Sequence, residues 1–70
     1  MTRYWFHIIC ETSYLDTAGF LFDTPEQAIA YATTIERELV ADATYHGCAI
    51  RVMDEHNREV ALLRIGQTAS

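Results

Sequence analysis

Seventy residues, 8.0 kDa in mass, allow one domain with one core, and the apolar half of the chain is enough for a helix layer on a sheet layer. Ten carboxylates against five arginines, with no lysine, leave a net charge of −5. That balance opposes a phosphate backbone, and no apolar run approaches the roughly 20 residues that span a bilayer, so no nucleic-acid partner and no membrane span are expected.

The first predicted element is a strand over Arg3–Cys10, R-Y-W-F-H-I-I-C, rich in aromatic and β-branched residues. Alternation places Tyr4, Phe6, Ile8 and Cys10 on one face, toward a core, and Arg3, Trp5, His7 and Ile9 on the other. Glu11–Gly19 is polar and turn-like, with a short extended piece near Tyr14-Leu15 and a tight turn at Asp16-Thr17-Ala18-Gly19. Phe20-Leu21-Phe22 forms a brief strand with Leu21 facing away from the two phenylalanines.

A helix then starts on a legible signal. Thr24 suits the N-cap, Pro25 the first helical position, and Gln27 completes a capping-box pattern. Ala28, Ala32, Ile35, Leu39 and Ala43 make an apolar stripe flanked by Ile29, Tyr31 and Val40, so the helix is predicted from Pro25 to about Tyr45. Gly47 is the natural terminator, with His46 placed to favour the negative helix end. The rest reads as a hairpin: a strand over Ala49–Met53, a turn over Asp54–Arg58 with Asn57 suited to left-handed backbone, and a strand over Glu59–Ile65. Residues 66–70 are expected to fray. The predicted fold is α+β, ββαββ, a single small domain over residues 1–70 with a mainly antiparallel sheet of two hairpins and one helix packed on one face.

Chemistry-bearing residues are few. His7, Cys10, His46 and Cys48 suggest a zinc site on paper, but His7 and Cys10, three apart on a strand, point to opposite faces. A Cys10–Cys48 disulfide needs Cα atoms within about 7 Å and an oxidising compartment. With two cysteines and no visible secretory signal, the expectation is a cytoplasmic chain with both thiols reduced. A nucleophilic cysteine is opposed too, because Cys48 follows a helix C-terminus, where the dipole disfavours a thiolate. Asp16, Asp23, Asp54 and Glu55 lie in turns or beside the helix start, where carboxylates are ordinary local hydrogen-bonders. No catalytic residue, metal or cofactor is expected.

One surplus stands out. Trp5, His7, Ile9, Leu21, Met53, Leu63 and Ile65 fall on the sheet face opposite the one assigned to the helix. A single helix covers one face, so this set is expected to form a contact surface, most simply for a homodimer and otherwise for an unidentified protein partner, with a small-ligand or metal binder as the remaining alternative.

The segment Arg3-Tyr4-Trp5-Phe6-His7-Ile8, the turn Asp16-x-x-Gly19, the helix start Glu26-x-Ala28 and Val52-x-Asp54-Glu55 together resemble a family of short bacterial proteins. Those proteins, common in rhizobial-type alphaproteobacteria and of unknown function, begin R-Y-x-F-H followed by a branched apolar residue. The resemblance spans nearly the whole chain and implies a cytoplasmic single-domain protein with no assigned activity. The chain departs from that pattern at Cys10-Glu11-Thr12, where Asp-Gly is usual, at Asn57, where glycine is usual, and at Leu21, where a polar residue is usual. His7 fits the signature and reads physically as a sheet-face histidine bonded across strands. Asp23-Thr24-Pro25-Glu26-Gln27-Ala28 is also similar to the helix entrance of HicB-type antitoxins, which would imply binding to a basic toxin.

Overall fold

The computed structural model describes residues 1–66. Its elements are β1 (Thr2–Ile9), β2 (Phe20–Phe22), α1 (Pro25–Leu39), a 3-10 turn (Ala43–Tyr45), β3 (Ala49–Met53) and β4 (Glu59–Arg64). The fold is ββαββ of the α+β class, as predicted. The strands form one antiparallel sheet in the order β2-β1-β3-β4, so the two hairpins join through their β1 and β3 strands. Because β1 runs antiparallel to both neighbours, β2 and β3 run the same way, and α1 is the crossover of a split β-α-β unit.

The helix begins where the sequence places it. Thr24 Oγ1 accepts from the Gln27 N–H at 3.2 Å, and Gln27 Oε1 accepts from the Asp23 N–H at 2.9 Å, so two backbone donors at the helix entrance are satisfied reciprocally. It ends earlier than predicted, at Leu39 instead of about Tyr45. Asp42 provides the competing signal: its side chain caps a separate 3-10 turn by accepting from the Thr44 N–H at 2.9 Å. His46 does serve the helix end, its Nε2 lying 2.6 Å from the Val40 carbonyl oxygen.

Ala28 and Ala32 are fully buried, and their small side chains let α1 sit close to the sheet. Around them Tyr4, Phe6, Ile50, Val52 and Ile65 form the core, with Tyr31, Ile35 and Leu39 packed against it. Tyr31 on the helix meets Phe6, Phe20 and Phe22 at ring-centroid distances of 5.1, 5.0 and 5.6 Å. These tilted and edge-on contacts anchor the helix over the β1–β2 side.

Two expectations are corrected here. The first concerns β4. Leu63 pairs with Ile50 and packs against the core, and Ile65 is 1% exposed, so both belong to the helix face and not to the open one. The cause is a bulge: Val52 pairs with Ala61 but Met53 with Glu59, leaving Val60 as an extra residue. One added residue exchanges the two faces of a strand, so Leu62, opposite Arg51, takes the outward position instead. Of the segment expected to fray, residues 67–70 lie outside the described residues.

The second concerns the cysteines, which are joined in a disulfide with Cα atoms 4.5 Å apart. Ile9 pairs with Ala49, and continuing that register by one residue sets Cys10 directly opposite Cys48 across β1 and β3. The 4.5 Å spacing is that of a non-hydrogen-bonded antiparallel pair. The bond closes a loop with a sequence separation of 38, which holds β2 and α1. In the chain-entropy account such a loop stabilises the fold by about 4 kcal/mol, a large share of what so small a domain can possess. Urea unfolding with and without dithiothreitol should therefore show a loss of about 3–4 kcal/mol on reduction. The Cys10→Ser/Cys48→Ser variant should match the reduced protein and be indifferent to the reagent.

Candidate interaction surface

The open face of the sheet is assembled in rows set by strand register. Arg3 lies opposite Leu21; Trp5 opposite Met53, which faces Glu59; His7 opposite Arg51, which faces Leu62; Ile9 opposite Ala49, which faces Arg64. Leu21 and Leu62 are 46% and 41% exposed, while Trp5, His7, Ile9 and Met53 are half-buried against one another and their neighbours. The structure thus brings five of the expected residues (Trp5, His7, Ile9, Leu21 and Met53) onto one face, excludes Leu63 and Ile65, and adds Leu62. An Arg51–Glu59 ion pair at 2.9 Å, both side chains nearly half exposed, crosses the same face.

Two shallow cavities flank these rows. One, of about 740 Å³, lies at the Ile9 end and is lined by Arg51, Leu62 and Arg64 together with Tyr14, Tyr45 and His46. The other, of about 320 Å³, lies at the Trp5 end among His7, Asp16, Met53, Asp54, Glu55 and Asn57.

Residues 14–19 run along the outer edge of β1 and bond two side chains of this face, Arg3 and His7. Tyr14 exchanges two backbone hydrogen bonds with Ile8, at 2.9 and 2.8 Å, while Tyr4 pairs with Phe20 farther along. Between them the Phe6 N–H has no strand partner and donates to Asp16 Oδ2 at 3.2 Å, a carboxylate standing in for a peptide carbonyl. Asp16 Oδ1 accepts from the Ala18 and Gly19 N–H groups, both at 3.0 Å, which bends the chain into the predicted turn. The Asp16 N–H donates to His7 Nδ1 at 3.0 Å, a geometry that in the neutral ring leaves the imidazole proton on Nε2. Arg3 donates to the Ala18 carbonyl at 2.7 Å. Gly19 has φ +70°, and a Cβ there would stand 2.7 Å from the Tyr4 carbonyl oxygen. Arg3, Tyr4, Phe6 and His7 are therefore locked to Asp16-x-x-Gly19 as one unit.

A family model described as a domain of unknown function, DUF6894, matches residues 3–66. The chain belongs to that family. No curated protein and no solved structure matches it. The DUF6894 match begins at Arg3, the first residue of the locked unit, and takes in the helix and all of the sheet but Thr2.

In this DUF6894 chain the locked unit gives Arg3, His7 and Asp16 a structural task. Each is occupied in holding the edge. Neither cysteine is available as a thiolate nucleophile or a thiolate ligand, since both sulfurs are consumed in the disulfide. Partial burial pushes the Asp16 carboxyl upward in pKa. The N–H donors of Gly19, Ala18 and Phe6, helped by attraction to His7, outweigh that and hold it below its ordinary value of 3.8. Asp54 is lowered likewise, first by the Arg58 N–H, against a smaller desolvation effect, then by the His56 N–H and the Arg58 charge.

A carboxyl with a lowered folded-state pKa contributes stability that is complete above its unfolded value, near 3.9, and is lost as pH falls through the folded value. Thermal melts of the wild type should accordingly hold steady from neutral pH to about pH 5 and decline below pH 4. Asp16→Asn should cost about 1–2 kcal/mol at neutral pH and flatten part of that acid decline. Gly19→Ala should cost about 2 kcal/mol or more, because it adds a left-handed backbone penalty to contact with a main-chain oxygen.

Proposed function

We propose that this protein is a non-catalytic interaction domain that associates with a second copy of itself through the open sheet face. The observation that carries the proposal is the exposure on one surface of Leu21 and Leu62, continuous with half-buried Trp5, Ile9 and Met53. An aromatic and several aliphatic side chains without a cover match the composition of an interface core, and the charges of Arg51 and Glu59 among them are paired with each other. A second copy suits the face because the cavity at its Ile9 end is lined by two arginines and the one at its Trp5 end by three carboxylates, Arg3 at that end being engaged by the Ala18 carbonyl. Such a surface complements itself under a two-fold rotation.

The Cys10–Cys48 bond weighs against the cytoplasmic location expected from reduced thiols, because glutathione and thioredoxin keep cytosolic cysteines reduced. The oxidised protein is therefore the form to study. In that form the sheet face is built on β1 and β3, the two strands that the bond joins.

Sedimentation equilibrium of the oxidised chain over a wide concentration range tests the proposal. The wild type should reach twice the monomer mass, and Trp5→Glu, which puts a charge into the centre of the patch, should remain a monomer with an unchanged far-UV spectrum. A wild type that stays monomeric throughout, or a Trp5→Glu variant that dimerises as well as the parent, would overturn it.

A further inference from the structure

The open face is electrically polar along its strands, and the two ends differ in which charges are free. At the Ile9 end, Arg64 is exposed on β4 and makes no ion pair among the described residues, while Arg51 is held through its Nε by Glu59 at 2.9 Å. Two of the chain's five arginines thus line one cavity of about 740 Å³, which also holds a single carboxylate, Glu11. In a protein of net charge −5 that pairing is an exception to its surroundings. At the opposite end, Asp54 is consumed by its own hairpin. It accepts from the N–H groups of His56 and Arg58, at 2.9 and 3.0 Å, and pairs with Arg58 Nε at 3.3 Å. Glu55, exposed at the hairpin tip, lines the smaller cavity on the open face and makes no ion pair among the described residues.

We propose that the arginine cavity is a carboxylate-binding site whose occupant is Glu55 of a second copy, in a face-to-face dimer with its two-fold axis across the strands. This rests on the self-association proposed above and adds its orientation and its polar contacts. An axis along the strands would stack arginines on arginines and carboxylates on carboxylates. An axis across them brings each Arg64 over the partner's hairpin tip, twice per dimer. The level midway between the Ala49–Arg64 row and Glu55 is that of Val52, between the Trp5–Met53 pair and the His7–Arg51–Leu62 row. The axis thus passes beside the Trp5–Met53 pair and at the level of the Arg51–Glu59 ion pair, while Arg64 and Glu55 fall on the rim, where they set register and partner choice.

Charge reversal tests the arrangement, with sedimentation equilibrium of the full oxidised chain at low salt as the readout and a thermal melt confirming each variant's fold. Arg64→Glu and Glu55→Arg should each raise the dimer dissociation constant about tenfold, since each places like charges together at two symmetric contacts. The double variant R64E/E55R, which restores opposite charges across the axis, should recover to within about threefold of the wild type. Raising the salt to about 0.5 M should weaken the wild type and shrink the effect of the single variants. A double variant as weak as the singles overturns the proposal, as do single reversals that change nothing while Trp5→Glu still yields a monomer; in either case self-association by the face stands and only its orientation fails. If Trp5→Glu leaves the dimer intact, the face itself is wrong, and the orientation falls with it.

Discussion

One helix of fifteen residues lies against four strands, and it can exclude water from only one side of them. Everything on that side follows the usual logic of a small core: alanines at the closest approach, aromatic rings around them, aliphatic side chains from β3 filling the centre. The other side receives no layer. The chain nonetheless places a tryptophan, an isoleucine, a methionine and two leucines there. Burial of apolar area is worth about 25 cal/mol per Å², so a surface of this kind stays uncovered at a real cost unless a second body covers it.

The outer side of β1 is the second constraint, and it fixes the return from β1 to β2. A loop needed only to reach from β1 back to β2 would be free to fold over the sheet. Here Asp16 pins it to β1 by accepting from the Phe6 N–H, and Gly19 allows the return turn to pass against the Tyr4 carbonyl. The other edge, β4, carries the bulge at Val60, one of the devices that keep an edge strand from pairing indiscriminately. The stretch of β1 beyond its pairing with β2 and the β4 edge are thus each modified within the chain, while β2 forms the other edge of the sheet.

Much of this was legible in the sequence because the signals are local. Thr24, Pro25 and Gln27 announce the helix start, and Asn57 adopts φ +62° in the hairpin turn as its side chain permits. The alternation in β1 also sorts its residues correctly between the two faces. What the sequence hid was relational. Pairing of β1 with β3 is a long-range fact, and without it nothing shows that Cys10 and Cys48 stand opposite each other; once Ile9 is known to face Ala49, the disulfide follows by counting one residue further. The bulge at Val60 was hidden for the same reason, since Val60 through Leu63 is apolar on both faces and Arg64, on the face of Leu62, is the one local sign of which faces outward. Asp42 was readable as a capping residue but was absorbed into a stripe that ran on to Ala43. His7 and Asp16 were each noted, yet only the hairpin return shows that one accepts from the other's backbone.

The most direct measurement uses the protein's single tryptophan, Trp5, as its own reporter. Trp5 emission should be recorded on serial dilution of the oxidised protein, with acrylamide quenching at each concentration. If the open face is covered by a second copy, emission should shift to the red and quenching should rise together as the dimer separates. Emission and quenching that stay constant while the mass halves would place Trp5 away from the interface and contradict the account.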